Sequence, residues 1–199
     1  MGQEVECRAT WNGKKGQGKA LLETEEVQFR GTVRFRLPFR SLTRVEAMGG
    51  ALLLEGPGGR ARIELGARAI DWAHRIRNPK GRVQKMNLRA GHRAALVGEM
   101  DGSFANELEA VGVVQVPRGL VDVVVLAADR ASSLRKIPAL VKRFAPAGAL
   151  WVVYPKGRET FGGTDVLLAG RAAGLTDVKV VKFSETHTGL KFVVPLARR

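Results

Sequence analysis

The sequence predicts two folds in series. An α+β domain of short antiparallel strands closed by one helix comes first, and a small α/β domain ending in an antiparallel strand pair follows. Three observations carry this. Between residues 5 and 65, apolar side chains recur at every second position and glycine clusters interrupt the chain. At residues 69–76 the apolar period lengthens to that of a helix. At 121–157 two nearly all-apolar runs (121–128 and 149–153) flank a stretch of helical character, the pattern of parallel strands buried on both faces.

In the first domain, placed at residues 1–79, Val27, Phe29, Val33, Phe35 and Leu37 alternate with Gln28, Arg30, Arg34 and Arg36. One sheet face is therefore apolar and the other carries arginines. Gly49-Gly50 and the GPGG run at 56–59 mark hairpin turns, and Leu52, Leu54, Ile63 and Leu65 supply more inward positions. Ala69, Trp72, Ala73 and Ile76 share one helix face, and Asn78-Pro79 ends that helix. This order of short strands and one closing helix resembles the pleckstrin-homology-like fold over about residues 3–78. That resemblance implies a bent antiparallel barrel capped by its C-terminal helix.

Residues 80–91 read as a basic linker with a weak apolar set, Val83, Met86 and Leu88. The second domain, 92–199, opens with a strand at 93–98 and a helix at 101–110, with Asp101 or Ser103 as N-cap. A short extended run at 113–116 and the strong strand at 121–128 come next. Only residues 117–120 separate them, too few for a parallel crossover, so 113–116 is expected to be irregular or antiparallel. A helix follows at 132–145 with Leu134, Ile137, Leu140, Val141 and Phe144 on its buried side. Pro138 implies a kink or a later true start, and Pro146-Ala147-Gly148 reads as its stop. A strand at 149–154, a helix at 164–173, and strands at 178–183 and 190–196 joined by SETHTG complete the chain.

This order resembles the second half of a class I methyltransferase fold (Rossmann-like). Residues 87–199 are closer to one bacterial group, the domain-of-unknown-function family 3052. Its elements DVVVL, G-x-[LI]-W-V-x-x-P-K and LKFV stand here at 122–126, 148–156 and 190–193. Trp151, Val152, Pro155 and Lys156 are the most specific of these residues. The resemblance implies no established activity. A working methyltransferase needs a glycine-rich loop after its first strand and an acidic residue after its second, for the ribose hydroxyls. Here the loop at 98–103 holds Gly98 and Gly102 only, and Gln115, Val116, Pro117 and Arg118 include no carboxylate. The segment that normally helps build the adenine pocket is missing. No cofactor and no catalytic residue is expected.

Two groups of residues remain as candidate sites. Lys14, Lys15 and Lys19 lie in a glycine-rich run with the spacing of a P-loop. Ala20 stands where Ser or Thr must hold magnesium, and a strand follows instead of a helix, so that motif fails. A flexible loop contacting phosphates survives as a reading, extended by Arg30, Arg34 and Arg36; the alternative is a solvated hairpin tip and sheet face. The second group, Gly98, Asp101, Asp129, Tyr154 and Lys156, lies near the carboxyl ends of strands, where open α/β sheets place ligands. Its alternative is that Asp129 caps a helix and Lys156 is solvated. His74, His92 and His187 lack metal-ligand spacing, and Thr186, His187 and Thr188 read as the turn of the last hairpin.

Composition bounds the function. Hydrophobic content is 45% and charged content 26%, but the net charge is +14. Through Lys80 there are 15 basic and 9 acidic residues (+6), and 18 and 10 thereafter (+8), so the excess belongs to both halves. Such a surface attracts polyanions. A single cysteine, Cys7, excludes an internal disulfide. There is no apolar run of membrane-spanning length, and no signal-peptide or myristoylation pattern at the N-terminus, so the protein is expected in the cytoplasm. The expectation is a non-catalytic binding or scaffold protein that engages nucleic acid or an acidic protein, with membrane contact peripheral at most. The alternative is a small-ligand sensor or S-adenosylmethionine-dependent methyltransferase using the strand-end crevice.

Overall fold

The computed structural model describes residues 2–198, and the chain divides into two compact units, Met1–Lys80 and Gly81–Arg199. Unit 1 holds seven strands: β1 (Gln3–Trp11), β2 (Lys14–Leu22), β3 (Glu26–Gly31), β4 (Arg34–Pro38), β5 (Arg44–Met48), β6 (Ala51–Gly56) and β7 (Gly59–Glu64). They form one antiparallel sheet in the order β4-β3-β2-β1-β7-β6-β5. Its edges, β4 and β5, are joined by residues 39–43 alone. Seven strands laid flat would set those edges about 29 Å apart, at roughly 4.8 Å per step. The six Cα steps from Pro38 to Arg44 reach about 21 Å at most. The sheet is therefore curled. Helix α1 (Arg68–Arg77) packs on β5 and β6 and buries Ala69, Trp72, Ala73 and Ile76 against Leu52, Leu54 and Ile63.

The curl needs a close crossing of β2 and β3. A Cβ added to Gly18 would stand 2.3 Å from the Arg30 carbonyl oxygen, and one added to Gly31 would stand 2.2 Å from that of Gln17. The glycines read from the sequence as loop flexibility are the contact points of two paired strands.

Unit 2 begins with α2 (Arg82–Lys85), inside the stretch read as linker. Val83, Met86 and Leu88 are buried in this unit's core. Next come β8 (Arg93–Val97), α3 (Gly102–Ala110), β9 (Val114–Gln115), β10 (Val121–Ala127), a 3-10 helix (Ala131–Lys136), α4 (Ile137–Val141) and β11 (Phe144–Pro155). Helix α5 (Gly163–Ala172), β12 (Thr176–Lys182) and β13 (His187–Val193) complete it. The sheet order is β9-β8-β10-β11-β13-β12; β13 runs antiparallel to both neighbours and every other pairing below it is parallel.

Two expectations are corrected here. First, β9 is parallel to β8, neither irregular nor antiparallel. The short connection suffices because β9 has two residues and stays at the amino end of the sheet. Gln115 and Val123 are both level with Ala94, on opposite sides of it. Second, the helix expected at 132–145 is a 3-10 turn followed by one short helix, with Pro138 near its start, where a missing N–H costs nothing. Phe144 already belongs to β11 and pairs with Val121. The Pro146-Ala147-Gly148 run lies within that strand instead of stopping a helix.

The sheet is covered on both faces. Phe104 and Leu108 of α3 meet Val123, Val125, Trp151 and Val153 on one face. Leu134, Ile137, Leu140 and Val166 meet Val124, Leu126, Leu150 and Val152 on the other. No helix among the described residues is long and apolar enough to cross a membrane.

The Gly18 crossing gives a stability test. Gly18→Ala should destabilise unit 1 by about 1–3 kcal/mol, because backbone atoms must move to admit the methyl group. Gly102→Ala, with open space around its Cβ position, should leave the urea midpoint unchanged or slightly raised. An unaltered midpoint for Gly18→Ala would show that β2 and β3 do not approach this closely.

Candidate functional site

In unit 1, β1 and β2 join through Asn12-Gly13, whose φ values of +48° and +82° make the tight turn that suits twisted hairpins. From Lys14 onward the chain is strand, paired with β1 along its whole length. The flexible phosphate-contacting loop is thereby corrected. Alternate residues of a strand face opposite ways, so Lys14 lies on the other face from Lys15 and Lys19. Lys19 Nζ is 2.6 Å from Glu4, and an Arg36 guanidinium nitrogen is 2.6 Å from Glu26. The Arg36 guanidinium, opposed in part by burial, holds the Glu26 carboxyl below the usual carboxylate range. Arg30 donates to Gln28 Oε1 at 2.8 Å and stands in the ladder between Lys19 and Arg34. Arg44–Glu46, Arg60–Glu55 and Arg62–Glu64 pair in the same way. Five of the six candidate cations thus share one face, Lys14 lies on the other, and two of the five, Lys19 and Arg36, are paired with acids.

In unit 2 the chain reverses its winding at β8. The connection leaving β8 runs through α3 over one face to β9, and the connection leaving β10 runs over the other face to β11. The crevice of such a sheet lies outside the carboxyl ends of the strands where the winding reverses. Those ends are Gly98, after β8, and Asp129, after β10. Gly98 takes φ +89°, and a Cβ there would stand 2.8 Å from the Ala127 carbonyl oxygen. Only glycine allows the loop to lie this close to β10.

Asp101 has a structural role. Its carboxylate caps α3 through the Ser103 backbone N–H (2.9 Å) and accepts from Arg82 at 2.6 Å. Arg82 also donates to Ser103 Oγ and to both Glu107 oxygens. Its guanidinium carbon lies 5.1 Å and 4.6 Å from the Phe104 and Phe183 ring centroids. The Arg82 and Ser103 hydrogen bonds hold the Asp101 carboxyl well below the usual carboxylate range. The sequence offered no local sign of Arg82, whose partners are 19 or more positions away.

Asp129 is exposed and caps no helix. One carboxylate oxygen is 3.4 Å from His187 Nε2, and His187 Nδ1 is 2.9 Å from Thr186 Oγ1. The backbone carbonyl of Asp129 accepts from Arg158 at 3.2 Å. His187 and Arg158, missed in the sequence, thus share this rim with Asp129. Lys156 donates its Nζ to the Ser184 carbonyl at 2.8 Å and so holds the turn between β12 and β13. Tyr154, Lys156, Arg158 and the first residues of α5 line a cleft of about 490 Å³. Partial burial raises the Tyr154 phenol above its ordinary pKa. The structure brings Tyr154 and Lys156 to one cleft, sets Asp129 beside it, and assigns Asp101 to the helix cap. No group of three metal-ligating side chains occurs among the described residues.

The Arg82–Asp101 pair has a pH signature. A carboxyl with a depressed folded-state pKa adds stability above the unfolded value, near pH 4, and loses it as pH falls through the folded value. Asp101→Asn keeps the cap and removes the charge. Wild type should therefore lose stability more steeply below pH 4 than Asp101→Asn. The gap at neutral pH should be about 1 kcal/mol, because Asp101 is half exposed. Urea midpoints across pH 2–7 would show it, and parallel acid limbs would deny the pair.

No family model matches the chain, and no curated protein matches it. Solved structures do match. A S-adenosylmethionine-dependent methyltransferase from Aquifex aeolicus is 14% identical, with TM-score 0.44, over 55% of this chain and 86% of that one. A ribosomal protein L11 methylase from Lactobacillus delbrueckii subsp. bulgaricus is 11% identical, with TM-score 0.45, over 57% and 74%. A putative methyltransferase from Pseudomonas syringae is 15% identical, with TM-score 0.40, over 56% and 94%. These matches, each named a methyltransferase or methylase, correct the expectation of a non-catalytic binding or scaffold protein.

Proposed function

We propose that unit 2 binds a small molecule at its strand-end crevice, as a ligand sensor or as a transferase. The observation that carries this is the reversal of winding at β8, which opens the crevice between Gly98 and Asp129. On its Asp129 side stand an imidazole (His187) and a guanidinium (Arg158), and Arg158 also lines the adjoining cleft that holds a phenol (Tyr154). A few convergent polar groups of different kinds are what orients a small ligand.

S-adenosylmethionine meets only part of its needs here. Gly98 permits close approach of the backbone. The ribose side has no carboxylate, because β9 ends at Gln115 level with Ala94 and Val116, Pro117 and Arg118 follow. The Asp101 carboxylate is engaged as the cap of α3 and with Arg82. The residues present do not complete a site for that cofactor. The crevice takes either a smaller ligand or one seated without a ribose carboxylate.

The same reading covers the relationships of the two units. The three elements shared with the domain-of-unknown-function family 3052 fall on β10, β11 and β13, of which β11 touches the other two, and this supports membership. In unit 1, seven antiparallel strands followed by one helix support the pleckstrin-homology-like resemblance.

Calorimetric titration of the full chain tests the crevice, with S-adenosylmethionine, S-adenosylhomocysteine and the common nucleotides as ligands. Heat that vanishes in Asp129→Ala is the expected result. Binding of the adenosylated sulfur compounds would select the transferase form, and binding of nucleotides alone the sensor form. Silence across the panel would remove both.

A further inference from the structure

We propose that the crossover between β10 and β11 is a track for the phosphodiester backbone of a nucleic acid. Between Arg130 and Arg158 the sequence contains Arg130, Arg135, Lys136, Lys142, Arg143, Lys156 and Arg158, and not one carboxylate. The inward side of this segment is fixed by Leu134, Ile137 and Leu140, all buried. The cations are left on the outside. Arg130, Arg135, Lys136 and Lys142 are exposed, and none has a carboxylate within ion-pair reach among the described residues. Residues 72–98 are likewise free of carboxylates, and elsewhere part of the cations are paired. In unit 1, Lys19, Arg36, Arg44, Arg60, Arg62 and Arg75 each sit against an acid. In unit 2, Arg82 and Arg171 do the same. The crossover is thus a stretch of unit 2 where part of the +14 charge stands without acidic neighbours in the chain.

Its course matters. Lys142 lies at the amino end of β11, Arg135 and Lys136 lie midway, and Arg130 follows Asp129 at the carboxyl end. Arg130 stands in extended backbone just before the 3-10 helix, and Lys136 is the last residue of that helix. At the carboxyl end the row meets Arg158 and Lys156, which line the cleft. The 3-10 helix packs on α5, whose first turn forms another wall of that cleft. The row thus ends at this cleft, which Glu159 and Asp165 also line, beside Asp129.

A line of separate cations suits a chain of regularly spaced phosphates. A membrane or a protein partner needs apolar anchors as well. Among the described residues the exposed large apolar side chains are Met48, Ile70, Val114, Leu120, Leu168, Val178, Val180 and Leu196, and none of these lies in this segment. The track itself stands on charge and geometry. That it delivers a nucleotide to the crevice rests on the small-molecule reading given above.

Fluorescence anisotropy of the full chain with a labelled single-stranded oligouridylate of about 20 nucleotides tests the track, with the matching oligothymidylate as second arm. Binding at about 50 mM salt should weaken steeply with added salt. Arg130→Gln/Arg135→Gln/Lys136→Gln should weaken it at least tenfold and flatten the log–log salt slope by about two, at roughly 0.7 per phosphate contact. Lys14→Gln/Lys15→Gln/Arg34→Gln removes the same charge from unit 1 and should change binding less than about twofold. RNA-only binding and binding of both arms each support the track; the first adds recognition of the 2′-hydroxyl. No binding at low salt, equal weakening by both variants, or preference for phosphatidylserine vesicles would overturn it. The calorimetric panel repeated on the crossover variant keeps the two readings apart. RNA binding that maps to the crossover with a silent panel sinks only the crevice. Ligand heat with unchanged RNA binding sinks only the track.

Discussion

Strand β10 is hydrogen-bonded on both sides by parallel neighbours, and the arrangement of unit 2 follows from that constraint. Parallel neighbours cannot be joined by tight turns, so each connection must climb over a face of the sheet. One goes by α3 and the other by the 3-10 helix and α4. Both faces are then covered, which explains why Val123, Val124, Val125 and Leu126 are all buried in sequence. Fully burying each such side chain contributes about 1.5–3 kcal/mol. The carboxyl ends of the strands collect on one rim, and Asp129, an exposed residue just beyond β10, projects there.

Unit 1 uses its charges differently. Its strands mix carboxylates with guanidinium and ammonium groups, so Lys19, Arg36, Arg44, Arg60 and Arg62 find partners within the sheet. Exposed pairs of this kind are worth about 0–1 kcal/mol each. Their larger effect is on the potential: a paired cation attracts a distant phosphate weakly. Net charge read from composition already subtracts the acids of these pairs, and it does not show that residues 130–158 of unit 2 hold seven cations and no carboxylate.

The elements legible in the sequence were those with dense local signals. Strands β10 and β11, helix α1 and helix α3 with its Asp101 cap were found because burial, period and capping are written into neighbouring residues. The course of 132–148 was misread because Phe144 continues the apolar spacing of a helix, while its pairing with Val121 is a tertiary choice. Strand β9 was misjudged because the crossover rule assumes strands of full height. The glycines at 16 and 18 carried two opposite meanings, looseness and close contact, and only the position of β3 decides between them. At the site, Asp129, Tyr154 and Lys156 were visible as strand-end residues. His187 was not, because 58 positions separate it from Asp129 and its own surroundings read as a turn.

The Arg82 contacts also decide where the second unit can be cut from the chain. A fragment begun at His92, where the recognisable strands start, would leave behind Val83, Met86 and Leu88. It would also strip the guanidinium from between the Phe104 and Phe183 rings. Autonomy of this unit thus begins at Gly81, eleven residues before its sheet gives any sign of itself in the sequence.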